Sequence, residues 1–339
     1  MEPRPIVMPE YPRCVYIEVT NTCNLLCQTC PITFMDLEAR DVLSYDKFLA
    51  IVSQFPRIER AVLHGIGEPL LNKALPQMIS YLKRHKGSHV LFNSNATLLK
   101  ADWQRSLIEA QLDELRVSLD AATPETYRKI RGAPVFPKII ENLQGMVTTK
   151  AALGSTLPKL SLWCTGMKEN LAELPDLVRL AARLGIGEVY LQRLVFYDEG
   201  QTIGLARADQ SLYGLSEQYA EDIIAECERL SQELGVRLEA SGATNPRTSL
   251  TTDQTDPAPW RACQRPWTVT YVTVNGNILP CCIAPFATRD YQSILLGNLF
   301  ARPFDEIWNG DRYQEFRSGL QSLQAPSDAC AKCGAKWSL

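Results

Sequence analysis

The chain has 339 residues, 45% of them hydrophobic, which is enough for a large core and for two domains or one large one. With 35 basic and 38 acidic residues the net charge is −3, so no polyanion-binding surface is indicated and nucleic acid is not expected as a main partner. The N-terminus lacks a basic segment followed by an apolar run, no apolar stretch approaches the ~20 residues of a membrane span, and eleven cysteines without a secretion signal point to a cytoplasmic, reducing location and to metal ligation.

Residues 15–20 read as a strand. Residues 43–55 place apolar side chains at helical spacing, with Ser44 positioned as a cap. The alternation continues with strands at 61–65, 89–95, 112–120, 159–166 and 188–196. Helices fall between them at 74–85, 101–111, 123–132, 136–150 and 171–185, the last ended by Gly185. Six strands with helices between them, over residues 14–197, imply parallel strands and right-handed crossovers. Such units could form an open doubly wound sheet or an incomplete barrel. The motifs described below fall at the C-terminal ends of successive strands, where α/β barrels place their chemistry, and this favours the barrel.

Residues 215–235 read as a linking helix and residues 241–259, polar and rich in Thr, Pro and Asp, as a loop. Residues 268–282 alternate, break at Asn275-Gly276 and alternate again, which signals a β-hairpin. A helical stretch follows at 303–323. The expected organisation is a core over residues 1–213, a linking helix and loop over 214–258, and a small hairpin-plus-helix domain over 259–339.

Cys23, Cys27 and Cys30 follow the first strand with the spacing C-x3-C-x2-C and no fourth cysteine near them. A [4Fe–4S] cube takes four ligands, normally Cys thiolates. Three from the protein leave one iron open to bind a small molecule and pass it an electron. A structural zinc site would need four Cys or His ligands, usually as two separated pairs, and the only histidines are His64, His85 and His89. A disulfide framework suits this composition poorly.

This triplet directly after a strand resembles the radical S-adenosylmethionine (SAM) superfamily. The resemblance implies a (βα)6 partial TIM barrel and a [4Fe–4S] cluster held by Cys23, Cys27 and Cys30. The open iron would chelate the amino and carboxylate groups of SAM, and an electron would split SAM into methionine and a 5′-deoxyadenosyl radical. This sequence has Thr29 where the family often has an aromatic before the third cysteine.

The second strand runs into residues 64–71, where glycines let the backbone approach a ligand. Alone this could be an ordinary βα turn. The resemblance implies that Gly65, Gly67 and Glu68 form the turn that meets the SAM ammonium group. Asn95, at the end of the third strand, matches a residue of the family's TNGxxL stretch. Ser118 and Asp120 sit two apart and so share a face of the fourth strand. By resemblance that strand faces the ribose and methionine of SAM; by residue type alone the pair could cap the next helix. Arg131 stands where family members often place a basic residue for the SAM carboxylate, and otherwise reads as a surface helix charge.

Cys263, Cys281, Cys330 and Cys333 form a second set, in the pattern C-x12-G-x4-C, a long gap, then C-x2-C, with Gly276 as the glycine. Its first half resembles the opening of the SPASM domain, an auxiliary-cluster module of radical SAM enzymes. The sequence ends at Leu339, soon after Cys333, so one auxiliary [4Fe–4S] cluster closed by four cysteines is expected, as in the shorter twitch variant, with electron transfer as its role. Four cysteines in two groups also suit a structural zinc ribbon. The Gly-x4-Cys spacing selects Cys281 over Cys282. Cys227 reads as a small buried hydrophobe. Cys164, on the fifth strand, either packs in the core or faces the barrel, where resemblance to radical SAM epimerases would make it a hydrogen-atom donor. Gln192 and Arg193 are candidate substrate contacts.

The function expected is that of a radical SAM oxidoreductase. It removes a hydrogen atom from a small polar metabolite such as a sugar, aminocyclitol or nucleoside derivative and dehydrogenates it with the auxiliary cluster as electron acceptor. A flavodoxin or ferredoxin is the implied reductant. A ribosomally synthesised peptide, cross-linked or epimerised, is the alternative substrate, and a non-enzymatic iron–sulfur electron carrier the alternative class. Only 22 residues precede Cys23, too few for the leader-binding domain of many peptide-modifying members, which favours the small molecule.

Overall fold

The computed structural model describes residues 4–194, 210, 217–240, 258–288 and 290–331. Seven strands follow one another in parallel: β1 (Cys14–Ile17), β2 (Arg60–Val62), β3 (His89–Ser94), β4 (Glu114–Ser118), β5 (Lys159–Gly166), β6 (Glu188–Arg193) and β7 (Arg237–Ala240). Beyond β1 lie β8 (Val269–Val272), parallel to it, then β9 (Asn277–Leu279) and β10 (Gly297–Asn298), each antiparallel to its neighbour. All ten form one sheet in the order β10-β9-β8-β1-β2-β3-β4-β5-β6-β7.

The crossovers carry α1 (Pro31–Phe34), α2 (Tyr45–Val52), α3 (Leu75–Tyr81), α4 (Ala101–Glu109), α5 (Pro124–Arg131), α6 (Phe136–Ala152), α7 (Leu174–Leu184) and α8 (Glu217–Leu234). Local chemistry sets their ends. Ser44 Oγ accepts a hydrogen bond from the Lys47 amide and caps α2. Gly185, at φ +70°, takes the left-handed turn that ends α7. One face of each strand packs under the helices: Leu115, Val117, Leu162 and Val189 are fully buried with Leu107, Leu143 and Val178 of α4, α6 and α7. The opposite face carries half-buried Tyr16, Arg116, Ser118, Trp163 and Tyr190 together with the buried aliphatic Val62 and Leu91. The result is the α/β partial barrel that the motif positions and the family resemblance favour.

Three features differ from the sequence reading. The helix read as a linker is α8, which packs against α7 and leads through Gly235 into β7, a seventh parallel strand. The sequence of β7, RLEA, has little strand character, and pairing along β6 makes it a strand. The long C-terminal helix is two, Phe304–Trp308 and Asp311–Gly319, broken where a Cβ on Gly310 would lie 2.6 Å from the Glu306 carbonyl oxygen. The hairpin at Asn275-Gly276 forms as expected, with Gly276 at φ +82°, but β8 also continues the barrel sheet, pairing with β1 from Cys14↔Val269 to Ile17↔Val272. No helix of the described residues is long and apolar enough to cross a membrane.

Candidate active site

The loop carrying Cys23, Cys27 and Cys30 leaves the C-terminal end of β1 and closes into α1. It is held from the end of α5: the Gln28 amide donates to the Ile130 carbonyl at 3.1 Å, and Gly132 passes so close that a Cβ would lie 2.7 Å from the Leu26 carbonyl oxygen. Within the loop the Cys30 amide donates to the Cys27 carbonyl at 3.2 Å. Cys27 is buried, and Cys23 and Cys30 are half-buried. Burial pushes the Cys30 thiol up to about 12 and raises that of Cys23. Burial there opposes the thiolate form unless a positive charge compensates it. Among the described residues no three His, Cys, Asp or Glu side chains close on one point as ligands of a single ion do. A cube instead presents its irons at separate corners to separate thiolates.

The glycine turn after β2 is locked against this loop. The Glu68 amide donates to the Thr22 carbonyl at 2.8 Å, and a Cβ on Gly67 would lie 2.6 Å from that same carbonyl oxygen. The Glu68 carboxylate is fully engaged: Oε1 accepts from the Leu70 amide at 3.1 Å and Ser94 Oγ at 2.7 Å, and Oε2 from the Asn95 amide at 2.7 Å. Asn95 Nδ2 donates to Asn24 Oδ1 at 2.9 Å, and Asn95 Oδ1 accepts from Thr97. Glu68 and Asn95 therefore tie β2, β3 and the cysteine loop together through their side chains, leaving the backbone of the turn to meet a ligand.

Ser118 ends β4, half-buried on the inner face. Asp120 lies past the strand, buried, with Oδ1 accepting from the Thr165 amide at 2.7 Å and Oδ2 paired with Arg131 Nη2 at 2.6 Å. Neither caps α5; Thr123 does. Arg131 is no surface charge. Its Nη1 lies 3.8 Å from Cys27 Sγ and its Nε is buried without a partner, so Asp120 aims the guanidinium at the cysteine loop.

Side chains of the inner sheet face form a second group, the lining of the barrel chamber. Trp163 and Tyr190 stack with centroids 3.9 Å apart and planes at 12°. The Arg116 guanidinium lies 4.3 Å from the centre of the Trp163 ring and pairs with Glu114 at 2.8 Å. His64, just past β2, is held neutral: burial, then the charge of Arg116, lowers its pKa to about 4, and its Nδ1 is buried with no hydrogen-bond partner. Tyr16 of β1 closes the set, stacked on Tyr271 of β8 at 6.1 Å. The sequence reading missed Tyr16, His64, Arg116, Trp163 and Tyr190. For Arg116 the signal was the alternation of Glu114, Arg116 and Ser118 with Leu115 and Val117. Cys164, read as a candidate hydrogen donor, faces the other way. It is packed with Leu162 under the helices, its thiol accepts from Asn170 Nδ2 at 3.6 Å, and burial raises its pKa well above the ordinary value. Gln192 is half-buried on β6, on the same face as Tyr190; the Arg193 side chain lies outside the described residues.

Of the second cysteine set, Cys263, Cys281 and Cys330 line one apolar cavity, walled by Trp260, Phe316 and Ala329. Cys333 lies outside the described residues. Cys282 does not line the cavity; its Sγ accepts from Arg265 Nη1 at 3.1 Å and sits against Tyr16, whose phenol it pushes well above the ordinary range. Cys282, next in the chain to the cavity-lining Cys281, thus meets Tyr16 of the inner sheet face.

Fold and site together define an α/β partial-barrel enzyme with two cysteine-lined sites. A model of the radical SAM superfamily matches residues 17–149, and one of the SPASM iron–sulfur cluster-binding domain matches residues 263–334. The chain is 24% identical over 335 residues to the tungsten-containing aldehyde ferredoxin oxidoreductase cofactor-modifying protein of Pyrococcus furiosus, covering 95% of this chain and 87% of that one. It is 26% identical over 333 residues to the Fe-coproporphyrin III synthase of Methanosarcina barkeri, covering 94% and 79%. Among solved structures it resembles Streptococcus suis SuiB bound to SAM, with a TM-score of 0.67 at 16% identity over 92% of this chain and 69% of that one. The chain belongs to the radical SAM superfamily and carries a SPASM domain; it is an enzyme whose cofactors are SAM and [4Fe–4S] clusters.

Proposed function

We propose that this radical SAM enzyme dehydrogenates a small polar metabolite held in the chamber between the cysteine loop and the auxiliary cavity. When bound, SAM and the two clusters supply the chemistry: a radical that takes one hydrogen atom from substrate carbon and an acceptor for one further electron, a proton leaving with it. The protein's residues do the rest. Cys23, Cys27 and Cys30 hold the first cluster, and Cys263, Cys281, Cys330 and Cys333 the second, within a unit spanning residues 259–339. The backbone at Gly65 and Gly67 receives SAM, in a position set by Glu68 and Asn95. Ser118 lies beside it, and Asp120 holds Arg131 at Cys27 and the SAM carboxylate. A flavodoxin or ferredoxin supplies the first electron.

The observation that carries the substrate reading is the lining of the chamber. Arg116, Trp163 and Tyr190 project from adjacent strands and stack face to face, Trp163 between the other two, so that a cation and fixed ring edges line this side of the sheet. Such a fixed lining with few polar groups suits a compact polar molecule. The names of the two curated relatives also concern cofactors rather than ribosomal peptides.

The test uses deuterium. Extract from cells grown on deuterated medium is split into metabolite and peptide fractions, and each is incubated with reconstituted enzyme, SAM and dithionite. Deuterium entering 5′-deoxyadenosine from the metabolite fraction alone is the expected result; entry from the peptide fraction alone contradicts the reading.

A further inference from the structure

Glu18 directly follows β1 and is 2% exposed. Its carboxylate joins elements from both cysteine sites. Oε1 accepts from the Ile66 amide at 3.0 Å and from the Tyr271 hydroxyl at 3.0 Å, and Oε2 accepts from the Val274 amide at 3.2 Å. Its own amide donates to the Val272 carbonyl at 2.9 Å. Ile66 lies in the glycine turn; Tyr271, Val272 and Val274 belong to β8 and the hairpin turn. Gly65 is what lets the carboxylate in, since a Cβ there would overlap Glu18 Oε1.

A second carboxylate grips the same hairpin. Glu38, in the loop after α1, accepts from Thr273 Oγ1 at 2.8 Å, Asn275 Nδ2 at 2.9 Å, Asn277 Nδ2 at 2.9 Å and the Tyr291 hydroxyl at 2.7 Å. The hairpin leads from β9 directly to Cys281. A buried carboxylate whose donors come from two elements resists their separation, because moving either one leaves it unsatisfied in a medium of low dielectric.

We infer that Glu18 is a positioning residue that couples the auxiliary-cluster unit to the SAM-binding turn. The hairpin, through Tyr271 and Val274, fixes Glu18, and Glu18 fixes the backbone at Ile66 where SAM is received. Emptying the auxiliary site at the end of this hairpin therefore weakens SAM binding, a consequence separate from any loss of electron transfer. The inference rests on the assignment of the turn at residues 64–68 to SAM.

The test is made on reconstituted holoenzyme. Glu18→Gln keeps the volume but replaces one acceptor oxygen by a donor nitrogen; Tyr271→Phe removes a single hydrogen bond and protects the experiment against a folding defect in the first variant. Two quantities are read: amide hydrogen exchange at residues 64–68 and 272–275, and the SAM dissociation constant by anaerobic equilibrium dialysis. Expected are faster exchange in both segments and SAM binding weakened about tenfold in Glu18→Gln, and less in Tyr271→Phe, with the iron content of the first cluster unchanged. Cys281→Ala should weaken SAM binding in the wild type and add little in the Glu18→Gln background. SAM affinity at the wild-type level in both Glu18→Gln and Tyr271→Phe overturns the inference. Faster exchange with unchanged SAM affinity overturns it too, and places the fault in the assignment of the turn rather than in the link.

Discussion

At Gly67 the chain has no space for a side chain. A Cβ would meet the carbonyl oxygens of Thr20 and Thr22, the latter at 2.6 Å, and relief would require the backbone itself to move. Gly67→Ala is therefore expected to destabilise the protein by about 1–3 kcal/mol in denaturant titration, and to weaken SAM binding. Glu18 gives a pH signature. Burial, the largest influence, pushes its carboxyl from 4.5 up to about 7 against hydrogen bonds from Ile66, Val274 and Tyr271 that favour the charge. A carboxyl that holds its proton more tightly when folded contributes stability that is full below about pH 4.5 and is lost as pH rises through about 7. The unfolding free energy of the wild type relative to Glu18→Gln should thus fall by up to about 3 kcal/mol across that window. A flat difference would contradict the burial. At Trp163, loss of the stack should raise KM for the substrate about tenfold while SAM cleavage without substrate stays at the wild-type level; an unchanged KM would remove the chamber wall from recognition.

At the scale of elements, the hairpin β8–β9 decides how the auxiliary unit sits. Its turn depends on Gly276, at φ +82° and with a Cβ position 2.5 Å from Phe300 Cδ2. Gly276→Ala is expected to cost about 1–3 kcal/mol and to lower the iron content of the auxiliary site while leaving the first cluster loaded. Cys330→Ala separates chemistry from assembly: 5′-deoxyadenosine should still form in part, while product formation stops. Unchanged product yield would contradict the electron-acceptor role. The sequence disclosed such elements unevenly. Strands β1 to β6 were legible because each carries an apolar alternation bounded by turn residues. The hairpin was legible because Asn275-Gly276 marks a turn between two alternating runs, and Gly276 takes the left-handed conformation there. Strand β7 was hidden because RLEA has no pattern of its own, and only the edge of β6 makes it a strand.

At the scale of the whole molecule, chemistry carried by spacing could be read directly, and chemistry carried by facing could not. Cys23, Cys27 and Cys30 declare themselves in eight residues. The chamber residues come from strands far apart in sequence, and the alternation shows two faces without saying which is inside. That is why the sequence left Cys164 open to either face and gave Arg116 no role: Cys164 is on the helix side of β5, and Arg116 on the inner side of β4. Arg131 looked like a surface charge by type, and its burial depends on Asp120 meeting it across the turn. Glu18 had a local signal, an acid between Ile17 and Val19 in an apolar strand, but its partners lie in the turn after β2 and in the hairpin.

The central claim is a radical enzyme with two separately ligated clusters. It is tested most directly by anaerobic reconstitution of the wild type and of a variant with Cys23, Cys27 and Cys30 all changed to Ala. Iron and sulfide are counted, and 5′-deoxyadenosine is measured after addition of dithionite and SAM. About eight irons in the wild type, about four in the variant, and deoxyadenosine from the wild type alone are predicted. Equal iron in the two proteins, or no deoxyadenosine from the fully loaded wild type, would contradict it.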